Sequence, residues 1–397
     1  MKNNRVGGII IRKMGGLMNS TLSYSESKKI RDSYEGLPFQ GFWTWLTGKE
    51  LQEREPFWHT RPHETILWSI LWLVGGIVLI NFSVLSNKIN YLFLIIGIVL
   101  ATSGARYIVA TVIHQAVHQN LLKGKHNIVL AELLSTILIV EPYHSYYQFH
   151  TIEHHGKQFS TLEDKDLTAI YSLGFLPGKS IRGLYLNLFK QIFSPVFHVK
   201  FLYGRLKSNL FDVPPYRLFM SLVYLAFLFF ISWKMGFAWS FFVIILPFVI
   251  LYQIASLLHL ITEHTWLLRS EDQTVKESHS KNSLGRFCGS RCPQGFSPST
   301  WIKWVQWCFS HMFYHLPVRM LILQGSLVCH DWHHRFGKNN DWANFAYLRE
   351  KYAKKIEEEN RFDLIETWGY HSALKHVFES LSKADKIDIS NLDYRLN

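Results

Sequence analysis

The stretch at residues 143–156 reads YHSYYQFHTIEHHG and contains the pattern H-x-x-x-H-H at His150, His154 and His155. In a helix, residues four apart lie on one face and the fifth lies slightly around from it, so these three imidazoles would converge on one point. Imidazole is a ligand that suits several transition metals. The stretch therefore predicts a helix that carries part of a metal site.

Two further histidine clusters accompany this stretch, HQAVH at residues 114–118 and HDWHH at residues 330–334. One tetrahedral zinc ion is satisfied by four ligands, whereas eight histidines can hold two ions that each keep an open position. An all-histidine site of that kind favours iron and dioxygen chemistry. The predicted ligands are His114, His118, His150, His154, His155, His330, His333 and His334.

The composition indicates a membrane protein. Of the 397 residues, 18% are charged, 15% are aromatic and 48% are hydrophobic, which fits a polytopic membrane protein better than a soluble enzyme. The four cysteines are too few for a secreted disulfide framework in a chain of this length. The pair in CGSRC, at residues 288–292, has a spacing that could suit zinc, but no second such pair lies nearby.

Four apolar stretches predict the fold. Each is near the length that a membrane crossing needs, and short turns join the first to the second and the third to the fourth. We therefore predict an all-α polytopic membrane protein with four transmembrane helices in two hairpins and a cytosolic helical cap that carries the histidine boxes. Arg106 is the only charged residue within a predicted span. The predicted spans are at about 65–85, 91–113, 218–233 and 237–260.

The distribution of charge predicts the orientation. The net charge is +12, and most lysines and arginines lie outside the hairpin turns, so the positive-inside rule places both termini and all three boxes in the cytoplasm. Nucleic acid is not needed to explain the basic excess. We expect an N-terminal cytosolic tail and interfacial segment (1–60), a membrane domain (61–340) and a C-terminal cytosolic tail (341–397).

Several segments outside the spans also carry predictions. Residues 128–140 are too few to span and predict an interfacial helix, and basic residues interleaved with apolar ones at 157–217 predict amphipathic helices on a membrane surface. Residues 270–300 are polar and predict a surface loop. Residues 1–40 show no clear period, and helices are expected at about 342–360 and 372–383.

The order HQAVH, HTIEHH, HDWHH across two helical hairpins resembles the integral-membrane fatty acid desaturase and alkane hydroxylase superfamily, over roughly residues 60–340. The resemblance implies a non-haem di-iron centre, O2 as co-substrate, and attack on unactivated C–H bonds of lipid-like chains. It also implies a ninth histidine directly after the last transmembrane helix, and His264 in TEHTW matches that position. The separation between His264 and His330 is longer than the family pattern.

The resemblance also implies partners. The substrate is expected to be a lipid or acyl chain within the membrane, and two electrons must come from an external donor such as a ferredoxin, a rubredoxin or a cytochrome b5-type protein. A basic surface can attract an acidic donor of this kind. We expect the protein to be an integral component of a bacterial inner membrane, in contact with membrane lipids and not with nucleic acid.

Residues beside the boxes could support the ligands. A ligating imidazole commonly donates its second N–H to a carboxylate, and we expect at least one of Glu153, Glu263 and Asp331 to accept such a bond. Asp164 and Asp166 in LEDKD are expected to be solvated. Of the other histidines, His311 and His315 are expected to pack among aromatic residues, and His144 and His259 could bond to ligands. The rest are expected at the surface or at interfaces, namely His59, His63, His126, His198, His279, His371 and His376.

Alternative functions remain open at this stage. HTIEH also matches the H-x-x-E-H pattern of zinc proteases, although that function leaves the first and third boxes unexplained. A metal transporter would be expected to place its ionisable ligands inside the spans. Within the oxidase class, the short first box and the chain length favour a desaturase, whereas the EHTW element favours a hydroxylase. We favour the desaturase.

Overall fold

The computed structural model describes residues 20–51, 54–56, 58–86, 88–361 and 363–387, and helices dominate this part of the chain. The predicted terminal regions therefore lie partly outside the described residues. The helices are α1 (Tyr24–Asp32), α2 (Gln40–Thr47), α3 (Pro62–Leu85), α4 (Tyr91–Val117), α5 (His126–Ile137), α6 (Tyr143–Tyr146, continued by Tyr147–His154), α7 (Lys165–Ser172), α8 (Ile181–Phe193), α9 (Pro195–Leu210), α10 (Pro215–Met235), α11 (Phe237–Leu260), α12 (Val275–Asn282), α13 (Pro298–Ser310, continued by His311–His315 and Val318–Ile322), α14 (His330–Phe336), α15 (Phe345–Glu358) and α16 (Tyr370–Lys383). The strands are β1 (Leu284–Phe287) and β2 (Ile365–Trp368).

Four of these helices, α3, α4, α10 and α11, are long and apolar enough to cross a membrane. Their ends follow local chemistry: α3 begins at Pro62, whose missing N–H is not needed in a first turn, and α10 ends at Gly236, whose φ of +85° suits glycine. Large apolar side chains such as Leu71, Phe219 and Phe229 are exposed along them, as contact with lipid requires. The predicted all-α class with four spanning helices is confirmed.

Close backbone approach joins α3 to α4. A Cβ on Gly76 would clash with the backbone of Ala101, and a Cβ on Gly104 would clash with the backbone of Leu73. Small residues at such positions let two helices pack tightly where lipid offers no hydrophobic driving force. The contact fixes the direction of α4, whose C-terminal end carries the first histidine box.

The short helix α5 matches the predicted helix that is too short to span. A buried ion pair ties it to α10, since Nη1 of Arg217 lies 2.7 Å from Oε2 of Glu132. Helices α8 and α9 likewise fall in the basic region that predicted amphipathic helices. Their large apolar side chains, such as Phe189, Phe193 and Val199, are exposed, which suits helices that lie on a membrane surface.

The stretch 270–300 is not the predicted surface loop. It contains α12 and β1, and all four residues of β1 are buried. Strand β1 pairs in parallel with β2, with Leu284 opposite Ile365 and Phe287 opposite Trp368. The prediction from polar composition is wrong because serine, asparagine and histidine side chains of this stretch make hydrogen bonds and contacts inside the protein.

The N-terminal region also departs from the expectation of an irregular tail. Ser23 caps α1 in a capping box with Glu26, and Lys49 is buried. The Lys49 ammonium lies 2.8 Å from Glu350 on α15 and 3.1 Å from Glu366 on β2. The described N-terminal residues are therefore part of the packed structure. The two predicted C-terminal helices are present as α15 and α16, whereas β2 between them was not predicted.

Candidate metal centre

Four separate elements bring the nine predicted ligands together. Helix α4 supplies the first box, the end of α6 supplies the second, the segment after α11 supplies His264, and α14 supplies the third. Eight of the nine side chains are buried, and His155 is half-buried. Helical spacing of three to five residues within each box turns its imidazoles toward one region, as the sequence pattern predicted.

The first group contains His114, His118, His150 and His333, whose nitrogens all lie within 4.8 Å of one another. Nε2 of His114 is 2.8 Å from Nε2 of His333. Nε2 of His118 and Nε2 of His150 have no hydrogen-bond partner among the described residues. Buried nitrogens rarely stay unpartnered, so these point to a ligand.

The second group contains His154, His264, His330 and His334, with the same limit of 4.8 Å between ligand atoms. Their Nε2 atoms form a chain, with 3.3 Å from His154 to His264, 3.1 Å from His264 to His330 and 3.0 Å from His330 to His334. His264 therefore lies within the second group, although a long stretch of chain separates it from the third box.

His155 lies between the two groups. Its Nε2 is 3.2 Å from Nε2 of His333 in the first group, and its ring stacks on His334 of the second group with centroids 4.1 Å apart. His150, His154 and Asp166 form a third combination whose ligand atoms also lie within 4.8 Å. The two histidine groups are thus adjacent, and the ring of His155 contacts both of them.

The donor set fits metal cations. Imidazole nitrogens that face one another carry lone pairs that repel unless a proton or a cation lies between them. Burial lowers the pKa of His118 to about 3, which leaves that ring neutral and able to bind a metal. Burial and neighbouring histidines also lower the pKa well below the ordinary value for His150, His155, His264, His330, His333 and His334.

Asp164 supports His154, which corrects the expectation that Asp164 is solvated. The carboxylate is buried, and Nδ1 of His154 donates to it at 3.0 Å. Burial alone would lower the pKa of His154, but the charge of Asp164 and this hydrogen bond raise it to about 9. The bond holds a proton on Nδ1 and turns Nε2 toward the second group, the arrangement that outer partners of metal ligands provide.

Among the three carboxylates predicted to accept from a ligand, only Glu263 lies beside one. Its Oε1 is 2.7 Å from Nε2 of His259 and 3.7 Å from Nδ1 of His330. Asp331 instead pairs with Arg349 at 2.5 Å, and Glu153 accepts from the Gln148 amide. The expected hydrogen bond from a predicted ligand to one of these carboxylates is not present among the described residues, because Nδ1 of His330 has no hydrogen-bond partner and Glu153 and Asp331 face other partners.

Three contacts at the site lie beyond the sequence predictions. The hydroxyl of Tyr146 is 3.3 Å from Nδ1 of His114, and the hydroxyl of Ser283 is 3.3 Å from Nδ1 of His264. His279 was expected at the surface or at an interface, but it is buried against the site, with ring centroids 4.8 Å from His334 and 4.2 Å from Phe159. Ser283 and His279 come from the stretch predicted as a loop, whose polar residues gave no signal of their position.

The remaining histidines divide as follows. His311 packs among aromatic residues, as predicted. Its Nε2 lies 2.8 Å from the Tyr34 hydroxyl, and its ring centroid lies 3.8 Å from that of Trp307. His315 accepts a bond from the backbone N–H of Gly289. His144 is exposed, together with His59, His63, His126 and His371.

A cavity of ≈ 950 Å³ reaches the first group. His114 and His150 form part of its wall, together with Phe149 and Phe197. Lysines of α8 and α9 line another part of it. A volume of this size suits a ligand with a long apolar chain.

Comparison with known proteins places this helical, histidine-rich membrane protein in a family. A model of the fatty acid desaturase family matches residues 89–317, which is more than half of the chain. The match includes the first two boxes and His264 and ends before the third box. This chain belongs to the fatty acid desaturase family, which makes it an integral membrane oxidoreductase. A search of curated proteins found no match to the chain.

Proposed function

We propose that this protein is a membrane-bound di-iron oxidase that uses O2 and two electrons to desaturate an unactivated C–C bond of a fatty acyl or lipid-like chain. The observation that carries the proposal is the pair of adjacent four-histidine groups beside a cavity that apolar side chains line in part. Family membership supports the same chemistry. Iron, when bound, would supply an oxidant strong enough to remove hydrogen from an unactivated C–H bond.

The ligands divide between two ions in this proposal. One ion would be held by the first group, with His155 as a further ligand because its Nε2 faces His333. The other ion would be held by the second group, in which Asp164 orients the ring of His154. The proposed ligands, through which the chain acts catalytically, are His114, His118, His150, His154, His155, His264, His330, His333 and His334.

The protein positions the substrate and excludes water. The side chains of Phe149 and Phe197 line the cavity beside His114 and His150, so an apolar chain can replace solvent there. The exposed apolar faces of α8 and α9 offer a route from the lipid to this cavity. Placement of one methylene relative to the metals then decides which hydrogen leaves, since small displacements change rates strongly.

The remaining parts of the proposal concern orientation and electrons. By the positive-inside rule, the histidine boxes and both termini face the cytoplasm of a bacterial cell, with the spans in its inner membrane. An external donor such as a ferredoxin, a rubredoxin or a cytochrome b5-type protein would supply the two electrons. Exposed lysines of α8 and α9 give that face the charge that attracts an acidic donor.

A hydroxylase of the same superfamily is the second candidate. The observation that favours it is His264, whose TEHTW context resembles the hydroxylase element and whose Nε2 lies within the second group. Both outcomes begin with removal of one hydrogen and then diverge. The zinc-protease function is disfavoured, because Glu153 bonds to Gln148 and that function leaves the first and third boxes unexplained.

Product analysis in a host that lacks related enzymes tests the proposal. The wild-type protein is expected to produce lipids with an additional double bond, detected by mass spectrometry of the extracted acyl chains. The His150→Ala variant should produce none, and the His144→Ala variant, altered at an exposed position on the same helix, should match the wild type. Hydroxylated chains would instead support the second candidate, and the absence of any oxidised lipid would contradict both.

A further inference from the structure

Arg106 is a buried charge within a membrane-spanning helix. It lies in α4, and only 4% of the residue is exposed. An unpaired charge at such a position costs several kcal/mol, so ionisable residues inside spans pair with a partner or serve a function. The proposed chemistry of the metal centre gives Arg106 no role.

The partners of Arg106 satisfy only one edge of its guanidinium. Nη1 donates to the Ser256 hydroxyl at 2.8 Å, and the guanidinium carbon lies 5.3 Å from the centre of the Tyr252 ring. Nε and Nη2 have no hydrogen-bond partner among the described residues. Among those same residues, no carboxylate forms an ion pair with it; Glu263 pairs with His259 instead.

The two unpartnered nitrogens define a specific kind of site. In a guanidinium, the N–H groups of Nε and Nη2 point in the same direction along one edge and match the two oxygens of a carboxylate. Arg106 lines the same cavity as His114 and His150. The two unpartnered nitrogens are enclosed by protein in the wall of the cavity that the substrate is proposed to occupy.

We propose that Arg106 binds the free carboxylate of the substrate, which makes the substrate a fatty acid or another long-chain carboxylic acid rather than an ester. That the bound acid is a substrate rests on the proposed function, whereas the binding site itself rests on Arg106 and the cavity alone. One guanidinium carries one charge, which a carboxylate monoanion balances, whereas a phosphate monoester would also draw on Lys190 or Lys200 in the cavity wall.

The position of Arg106 also constrains the reaction. It precedes His114 by eight residues in α4, a separation of roughly 12 Å along a helix axis. A carboxylate held at Arg106 would set the distance along the chain from the carboxyl group to the carbon that lies beside the metals. The position of attack would then be counted from the carboxyl end, whatever the chain length.

Direct binding to the purified full-length protein in detergent tests this inference. The probes are stearate, octadecanol and octadecyl phosphate, each measured by displacement of a fluorescent fatty acid. The wild type should bind stearate roughly tenfold to a hundredfold more tightly than octadecanol, the range expected for a charge-assisted bond. Arg106→Gln should remove this preference while leaving octadecanol binding and iron content unchanged, which shows that the variant is folded.

Two further variants separate the alternatives. Arg106→Lys keeps the charge but not the paired donors, and it should retain only part of the preference. Lys88→Gln, at an exposed position outside the cavity, should bind as the wild type does. An unchanged preference in Arg106→Gln, its loss in Lys200→Gln at the cavity wall, or tighter binding of octadecyl phosphate than of stearate would overturn the assignment.

The proposed carboxylate site and the proposed oxidase activity can be refuted independently of each other by these experiments. Stearate preference that depends on Arg106 in a protein without oxidase activity would sustain the carboxylate site and refute the oxidase. Oxidation of lipid chains by a wild-type protein that shows no preference for stearate would sustain the oxidase and refute the site.

Discussion

Nδ1 of His154 lies 3.0 Å from both carboxylate oxygens of Asp164, and both side chains are buried. The same carboxylate accepts from the backbone N–H groups of Ser160 and Asp166, which fix its position at the start of α7. Asp164 is therefore held in place by backbone N–H groups of its own turn. Its carboxylate then orients the ring of His154 in the second histidine group. The local geometry of the turn thereby determines where Nε2 of His154 points within that group.

The first prediction concerns this pair. Asp164→Asn should weaken metal binding by about 10–100-fold, the usual cost of removing an outer partner of a ligand, because the ring of His154 loses its charged acceptor. Metal retention during titration with a chelator measures the effect. Glu163→Gln, at the exposed neighbouring position, should retain metal as the wild type does. Equal retention in both variants would show that Asp164 does not support the site.

The second prediction concerns the packing of α3 on α4. Gly76→Ala should lower the thermal unfolding temperature of the detergent-solubilised protein, because the added Cβ meets the backbone of Ala101. Gly75→Ala is the matched control, since its Cβ would meet no atom within 4 Å. A Gly76→Ala protein as stable as the Gly75→Ala protein would contradict the close contact between these helices.

The third prediction concerns the buried charges that join the N-terminal segment, α15 and β2. Nη1 of Arg349 lies 2.5 Å from Glu366, which also pairs with Lys49. Burial alone would raise the pKa of Glu366, but the charges of Lys49 and Arg349 lower it from 4.5 to about 2. A lowered carboxylate pKa stabilises the fold above the ordinary pKa, and this stabilisation disappears as the pH falls toward about 2.

Glu366→Gln should therefore destabilise the protein by roughly 1–3 kcal/mol at neutral pH, because it removes a charged partner from both Lys49 and Arg349, which then keep only Glu350 and Asp331 respectively. The difference from the wild type should shrink between pH 4.5 and 2, where wild-type Glu366 takes up a proton. Denaturant unfolding across this pH range measures it, with the exposed Glu271→Gln as control. A difference that does not change with pH would show that Glu366 is not the titrating group.

Features that depend on local patterns could be predicted from the sequence. The four spans follow from apolar runs, and the three boxes follow from histidines spaced at three to five residues, which the structure brings together in two groups. His264 could not be identified as a candidate ligand in this way, because its spacing from other histidines does not form a box. Its position came from the resemblance, and the structure places it beside His154 and His330.

Features that depend on contacts between distant segments could not be predicted. Strand β1 pairs with β2 and packs in the core, and these two strands are far apart in the chain. From its composition, the stretch before β1 resembles a solvated loop, although His279 and Ser283 contact histidines of the second group. Asp164 likewise lies in the polar run LEDKD, and only the fold shows that it faces His154.

The most direct test of the central claim is the iron content of the protein purified from cells. The account predicts two iron ions per wild-type chain, loss of iron in His150→Ala and in His334→Ala, which alter one group each, and full retention in the exposed control His144→Ala. Zinc in place of iron, or iron that survives both substitutions, would contradict a di-iron centre built from these two histidine groups.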